Sequence, residues 1–283
     1  MVLDLLVTDL AQRYQVRTTT AVQVAQMRVE NELLYVVEQR ILAKNEHGYL
    51  LQLDVLNATQ KATDLFSRVT AEVNQATRRL VLQINEQGRL LQVKNQSEVL
   101  QQWQAMQAAI RAKHADEPTV QPFLDAFAQQ LAVPGSMEPN LRDKGIYGAL
   151  LPGVYGQDYH PQVPVLTKRC ITGFFHELDL PLVLATTAEP APADASPLGT
   201  AVQVTTTATL DEEAFAATDF RRLMRSLVDD YRFPVDLTLN YQAQHLFDAR
   251  TGVLLRSQQY LVAEVPGVYH NALTHELLPQ PTP

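Results

Sequence analysis

The sequence predicts an α+β protein built on a large curved antiparallel β-sheet, a meander or half-barrel, with amphipathic helices packed on one face. Three observations carry this. Reversals running from Asn or Asp to Gly recur at Asn45-Glu46-His47-Gly48, Asn85-Glu86-Gln87-Gly88 and Asp248-Ala249-Arg250-Thr251-Gly252. Each lies between arms that alternate apolar and polar residues, and glycine supplies the positive φ a tight reversal needs. Helical periodicity, in contrast, is confined to a few stretches.

The clearest reversal is LVLQINEQGRLLQ at residues 80–92, where Leu80, Leu82 and Ile84 alternate as in a strand with one buried face. Before it, residues 10–55 read as long strands in a row. Tyr14 and Val16, then Val22 and Val24, then Val37, Ile41 and Ala43 lead into the first tip, and Tyr49, Leu51, Leu53 and Val55 leave it. Asp64 is placed to cap a helix with Leu65, Val69, Val73 and Ala76 on one side. Asn95-Gln96-Ser97-Glu98 has the spacing of a capping box, and Val99, Trp103, Met106 and Ile110 then form an apolar stripe with the lone tryptophan inward. Thr119 caps the next expected helix, whose face carries Val120, Phe123, Leu124, Phe127 and Leu131 and which ends before Pro134-Gly135.

The chain changes character between Pro134 and Pro164, where prolines and glycines crowd together. The expected organisation is residues 1–133 as N-terminal strands, hairpin and helices, residues 134–164 as an irregular connection, and residues 165–283 as strands and a helix completing the same or a similar sheet. The connection reads either as a domain boundary or as a loop crossing one sheet. Strand character returns at 163–176 and 180–187. The tract Glu189 to Pro197 cannot form a ladder and reads as an exposed loop. Val202 and Val204 belong to a half-exposed strand. Asp211 or Asp219 starts a helix with Phe220, Leu223, Leu227 and Tyr231, and Leu237, Leu239 and Tyr241 open the last strands.

Composition narrows the partners. At 283 residues and 46% hydrophobic content the chain can bury a sizeable core, and a net charge of −8 argues against nucleic acid or an anionic membrane surface. The single cysteine, Cys170, excludes an internal disulfide and reads as an inert, packed thiol among Val163, Val165, Ile171 and Phe175. The start carries Asp4 and Asp9 with no basic segment, so it does not read as a signal peptide, and no window approaches the roughly 18 apolar residues of an integral membrane segment. The expectation is a cytoplasmic protein, with a mature periplasmic or exported form as the alternative.

Chemistry is sparse. No two histidines share a helical face at metal-ligand spacing; the best set the chain offers is His176, Glu177, His270, His275 and Glu276, and the reading is that no metal is bound. No G-x-S-x-G is present. Gly145-Ile146-Tyr147-Gly148 and Gly153-Val154-Tyr155-Gly156 lack the Lys-Ser/Thr ending of a phosphate loop and read as turns. No catalytic residue and no cofactor are expected.

The order of long N-terminal strands, hairpin, helices and later strands resembles the half-barrel lipoprotein carriers of the LolA and LppX kind over the first half of the chain. That resemblance implies binding of lipid or lipoprotein in a cavity. The residues themselves support a non-enzymatic binding protein holding a hydrophobic small molecule between sheet and helices, with Trp103, Met106, Phe123 and Phe127 as the ligand-binding residues. Two alternatives stand beside it: a structural or interaction subunit of a larger protein assembly, oligomeric or with a protein partner, and an enzyme with an unrecognised site.

Overall fold

Strand β1 (Gln12–Val24) pairs with two neighbours, β2 (Met27–Asn45) on one side and the last strand of the chain on the other. The computed structural model describes residues 1–7, 11–61, 64–192 and 200–280. From β2 the meander continues through β3 (Gly48–Gln60), helix α1 (Leu65–Val73), a 3-10 turn at Asn74–Thr77, β4 (Arg79–Ile84) and β5 (Leu90–Val93). Helices α2 (Gln96–Lys113), α3 (Val120–Ala132), α4 (Glu138–Leu141) and α5 (Gly145–Leu150) follow. The second meander comprises β6 (Val165–Phe175), β7 (Leu178–Pro190), β8 (Ala201–Leu210), helix α6 (Ala217–Val228), β9 (Thr238–Asp248), β10 (Leu254–Val265) and β11 (Tyr269–Pro279). All strands join one antiparallel sheet in the order β5-β4-β3-β2-β1-β11-β10-β9-β8-β7-β6. The protein is therefore α+β with a large curved, unclosed sheet.

This order makes β5 and β6 the two edges, and the chain between them must cross the whole sheet. It does so over the inner face. Met137, Ile146, Leu150, Val154, Tyr155 and Tyr159, all from the Pro/Gly-rich passage, are buried in the same core as Tyr14, Leu51 and Leu82 of the strands. The sheet curls around this plug until its edges approach one another. Arg89, in the β4–β5 turn, donates a hydrogen bond to the Lys168 carbonyl of β6 at 3.4 Å.

Two apolar clusters share this inner face. Along β9, Tyr241 and Ala243 belong to the cluster under α6, while Phe247 belongs to the cluster under the crossing helices. Alternation puts all three on one side of the sheet, with His245 between them. The outer face is polar, with Arg17, Gln242, Gln244, Arg256 and Gln258 directed to solvent. The hairpin tips are self-capped: Asn45 Oδ1 accepts from the His47 amide at 2.9 Å, Asn85 Oδ1 from Arg89 at 2.8 Å and Asp248 Oδ1 from Thr251 at 2.8 Å. Gly48 has a φ of 119°, and a Cβ there would stand 2.3 Å from the Ile84 carbonyl oxygen, so the tip admits no side chain.

Several local expectations are corrected. Asn95 forms no capping box; its Oδ1 accepts from the Val81 amide at 2.8 Å and its Nδ2 donates to the Arg79 carbonyl at 3.1 Å. It extends the ladder of β4 past the end of short β5, and the unpaired strand backbone outcompetes the helix terminus. Asp64 does cap α1, accepting from the Ser67 amide at 2.9 Å, but Thr119 starts α3 without a side-chain bond. Gly145 to Gly148 lies within α5 rather than in a turn. Cys170 is exposed, because it occupies the parity opposite to Ile171 on β6; its Sγ donates to Asp179 at 3.7 Å, and partial burial with that neighbouring carboxylate raises the thiol's pKa.

Glu189 and Pro190 still pair with β8, opposite Gln203 and Val202, and residues 193–197 of that tract lie outside the described residues. Neither Asp211 nor Asp219 caps α6. Asp211 instead binds Lys168 at 2.7 Å, and Tyr231 falls beyond the helix, which Asp229 ends in the left-handed conformation. No described helix is long and apolar enough to cross a membrane.

Candidate functional site

The site begins with a β-bulge. Val36 pairs with Asn57 but Val37 with Val55, so Leu56 is an extra residue in β3. The bulge turns Leu56 outward and re-aims the strand beyond it, so that Ala58, opposite Tyr35, faces the inner side as Val55 does. Leu33, Tyr35, Val55 and Ala58 thereby floor an open-mouthed cavity of about 370 Å³. Its walls are Phe127 and Leu131 from α3, Met137 and Leu141 around α4, and Ile146 and Tyr147 from α5. The 3-10 turn after α1 closes one end, and Arg78 and Lys144 stand among its lining residues.

The cavity has the makeup of a ligand pocket, with apolar walls and a polar rim that includes Gln60, Asn74, Gln75, Gln130 and Asn140. Tyr35 and Tyr147 both line it, and burial raises both phenol pKa values, with the nearby Tyr35 phenol adding to the effect on Tyr147. Neither hydroxyl makes a hydrogen bond among the described residues. Both therefore remain neutral at physiological pH and can donate to a bound group.

A second convergence of polar side chains lies between the two apolar clusters. His245 Nδ1 sits 2.9 Å from Ser257 Oγ, His275 Nδ1 2.9 Å from Thr18 Oγ1, and Thr186 Oγ1 3.0 Å from Thr206 Oγ1. Gln259 Nε2 donates to the Gly148 carbonyl at 2.9 Å, tying β10 to α5. Arg169 binds Asp143 and, at 3.2 Å, the Tyr241 hydroxyl. The free space bordered by Arg169, Thr186, Thr206, Tyr241, His245 and Gln259 is about 10 Å³, room for one water at most. Ser257 and His245 are 2% and 3% exposed, so this pair has no substrate access. The belt joins the crossing segment to the sheet.

Of the four residues expected to bind ligand, Phe127 lines the cavity. Trp103 stands behind it, 1% exposed, edge-on to Phe127 at 5.0 Å and 80°. Phe123 packs against Phe66 with ring centroids 4.8 Å apart and planes tilted by 57°, and Met106 packs half-buried against the core; neither lines the cavity. Sequence reasoning missed Tyr35, Tyr147, Arg78 and Lys144. Tyr147 had one available signal, an aromatic inside the compositional break that has to cross the sheet. Among the described residues no three His, Cys, Asp or Glu side chains form a metal-binding group. His275 is taken by Thr18, and His270 points to the opposite side of β11, 3.8 Å from Glu264.

No family model matches this chain, and no curated protein matches it in sequence. A solved structure concerned with lipid-protein interactions in lipovitellin is similar over 96% of this chain and 25% of that one, at 8% identity and a TM-score of 0.49. The chain thus spans about a quarter of the length of that protein.

Proposed function

We propose that this protein is a non-enzymatic binding protein that holds an apolar ligand between the inner face of β2–β3 and helices α3–α5. The observation that carries this reading is the cavity of about 370 Å³ opened by the Leu56 bulge and walled by Phe127, Leu131, Ile146 and Tyr147. Its volume falls in the range of about 300–1,000 Å³ typical of small-molecule sites. The polar belt supports the same reading from the other side, since the one tight cluster of titratable groups there has no room for a substrate. Trp103 serves this site from behind Phe127, and Phe123 and Met106 hold α2 and α3 in place around it.

The test is uptake of the neutral apolar dye Nile red, together with native mass spectrometry of gently purified protein. Saturable uptake and a co-purified apolar mass are expected, both lost in Ala58→Phe, which fills the floor from a position already open to the cavity. A protein that takes up no dye and carries no such mass lacks this function.

A second reading is favoured by edge strand β6, where Leu166 is 66% exposed on the outer face. An unpaired edge with an apolar outer residue suits strand addition by a protein partner or a second copy. A concentration-independent monomer by sedimentation would dispose of self-association through it.

A further inference from the structure

We infer that the cavity's ligand is a single-chain amphiphile with a compact anionic head, its chain along Leu33, Phe127 and Ile146 and its head between Arg78 and Lys144. This rests on the reading of the cavity as a binding site and adds the ligand's charge and orientation. The chain has 31 acidic and 23 basic residues, yet the cavity lining contains two cations and no carboxylate. Neither cation makes an ion pair or a side-chain hydrogen bond among the described residues.

That contrasts with their surroundings. Arg78 also borders the neighbouring depression, which holds Glu38 and Asp54. Both carboxylates there are already occupied: Glu38 by Arg13 at 2.8 Å and Arg40 at 2.5 Å, and Asp54 by Arg79 at 2.7 Å. Those guanidiniums hold the Glu38 carboxyl below its usual range, so it stays charged and paired. Near the end of α1, Glu72 is likewise held by Lys113 at 2.5 Å and by His114. Arg13, Arg40, Arg79 and Lys113 thus have acidic partners, while Arg78 and Lys144, which open onto apolar space, have none among the described residues.

An anionic head at Arg78 and Lys144 would complete the pattern that the protein's own carboxylates leave open. Charged hydrogen bonds to a carboxylate or phosphate are the strong ones, and a half-buried Lys144 beside an apolar wall loses less of that attraction to water than an exposed pair does. The neutral phenols of Tyr35 and Tyr147 add donors and no competing negative charge. A cationic head would face two like charges and no carboxylate among the lining residues.

The experiment is displacement of Nile red by ligands of equal chain length, all below micelle-forming concentration: dodecanoate, dodecyl phosphate, glycerol monododecanoate and dodecyltrimethylammonium. One or both anions should displace the dye at about fivefold to tenfold lower concentration than the neutral ligand, as two partly screened ion pairs allow, with the cation weakest. The advantage should shrink as salt rises. In the Arg78→Gln/Lys144→Gln double variant the anions should fall to the level of the neutral ligand, and Arg78→Glu/Lys144→Glu should favour the cation. A preference for dodecanoate over dodecyl phosphate, or the reverse, tells whether the head is a carboxylate or a phosphate. Equal displacement by all four, with dye still bound, overturns the inference and leaves the cavity reading standing. Absence of dye binding removes the cavity reading and the inference together. Because Arg78 is exposed and Lys144 half-buried, unchanged melting temperatures separate loss of binding from loss of fold.

Discussion

Arg169 of β6 and Asp143, in the segment between α4 and α5, form an ion pair at 2.5 Å with side chains only 9% and 17% exposed. The pair fastens the crossing segment to the far edge of the sheet. Removing the arginine leaves a nearly buried carboxylate without its partner and frees the Tyr241 hydroxyl. Arg169→Met should therefore cost about 3–5 kcal/mol in urea denaturation, the range for a broken buried pair. The double variant Arg169→Met/Asp143→Ala should cost clearly less than the sum of the two single changes. Additive losses would mean that the two side chains do not act on each other.

The same belt sets a pH dependence. Burial, aided by the charge of Arg169, pushes the pKa of His245 from 6.5 down to about 3 and that of His275 down to about 4. Both histidines are therefore neutral in the folded protein, while the unfolded chain takes up protons as pH falls through 6.5. The unfolded state then binds more protons, so stability is complete above about pH 6.5 and declines as pH falls toward 4. The slope approaches about 1.4 kcal/mol per pH unit for each histidine. Carboxylates held low by their partners, Glu38 and Asp248 among them, add their own loss further down. Urea midpoints between pH 7 and 4.5 should show the decline, and His245→Gln should flatten it; a flat wild-type profile would mean that these imidazoles are not sealed.

Two glycines with nearly the same backbone separate strain from packing. Gly252 has a φ of 68° and Gly267 of 79°, but a Cβ at Gly252 would lie 2.1 Å from the Asp4 carbonyl oxygen while one at Gly267 meets nothing within 4 Å. Gly267→Ala should show the conformational cost alone, about 1–2 kcal/mol. Gly252→Ala should cost more and loosen residues 1–7, whose Leu6 amide bonds the Thr251 carbonyl at 2.9 Å. Limited proteolysis near the N-terminus should find the second variant cleaved faster. Equal losses and equal cleavage would show that the N-terminal segment does not rest on this turn.

What the sequence made legible is what its side chains encode locally. Asn45, Asn85 and Asp248 cap their own turns, so three hairpins could be read from short strings. The stripes of α2 and α3 placed Trp103 and Leu124 inward for the same reason. The reversal after β1 escaped notice because Ala25 adopts a φ of 50° with no glycine to mark it. Strand order was out of reach: β1 pairs β11 through contacts such as Thr18 with His275, which no local pattern announces. The candidate site suffers from the same limit. Its lining comes from two strands, four helices and a 3-10 turn, so the helical stripe revealed Phe127 and nothing local linked it to Tyr35, Arg78 or Tyr147.

Trp103 gives the cavity an internal reporter. It is the single tryptophan, it is sealed from solvent, and its edge contact with Phe127 places it one side chain behind the wall. A ligand chain packed against the exposed side of Phe127 must restrict that ring, and an indole edge-on at 5.0 Å senses the change through its quenching rather than through solvent exposure. Dodecanoate should thus alter Trp103 emission intensity saturably, with little movement of the emission maximum. In Phe127→Leu the coupling ring is gone, and the same ligand should bind with a much smaller optical response. Ala58→Phe leaves both rings in place but fills the floor, so it should abolish binding and response together. A full response in Phe127→Leu would mean that the ligand reaches Trp103 by another route, and the cavity between β2–β3 and α3–α5 would then not be where it sits.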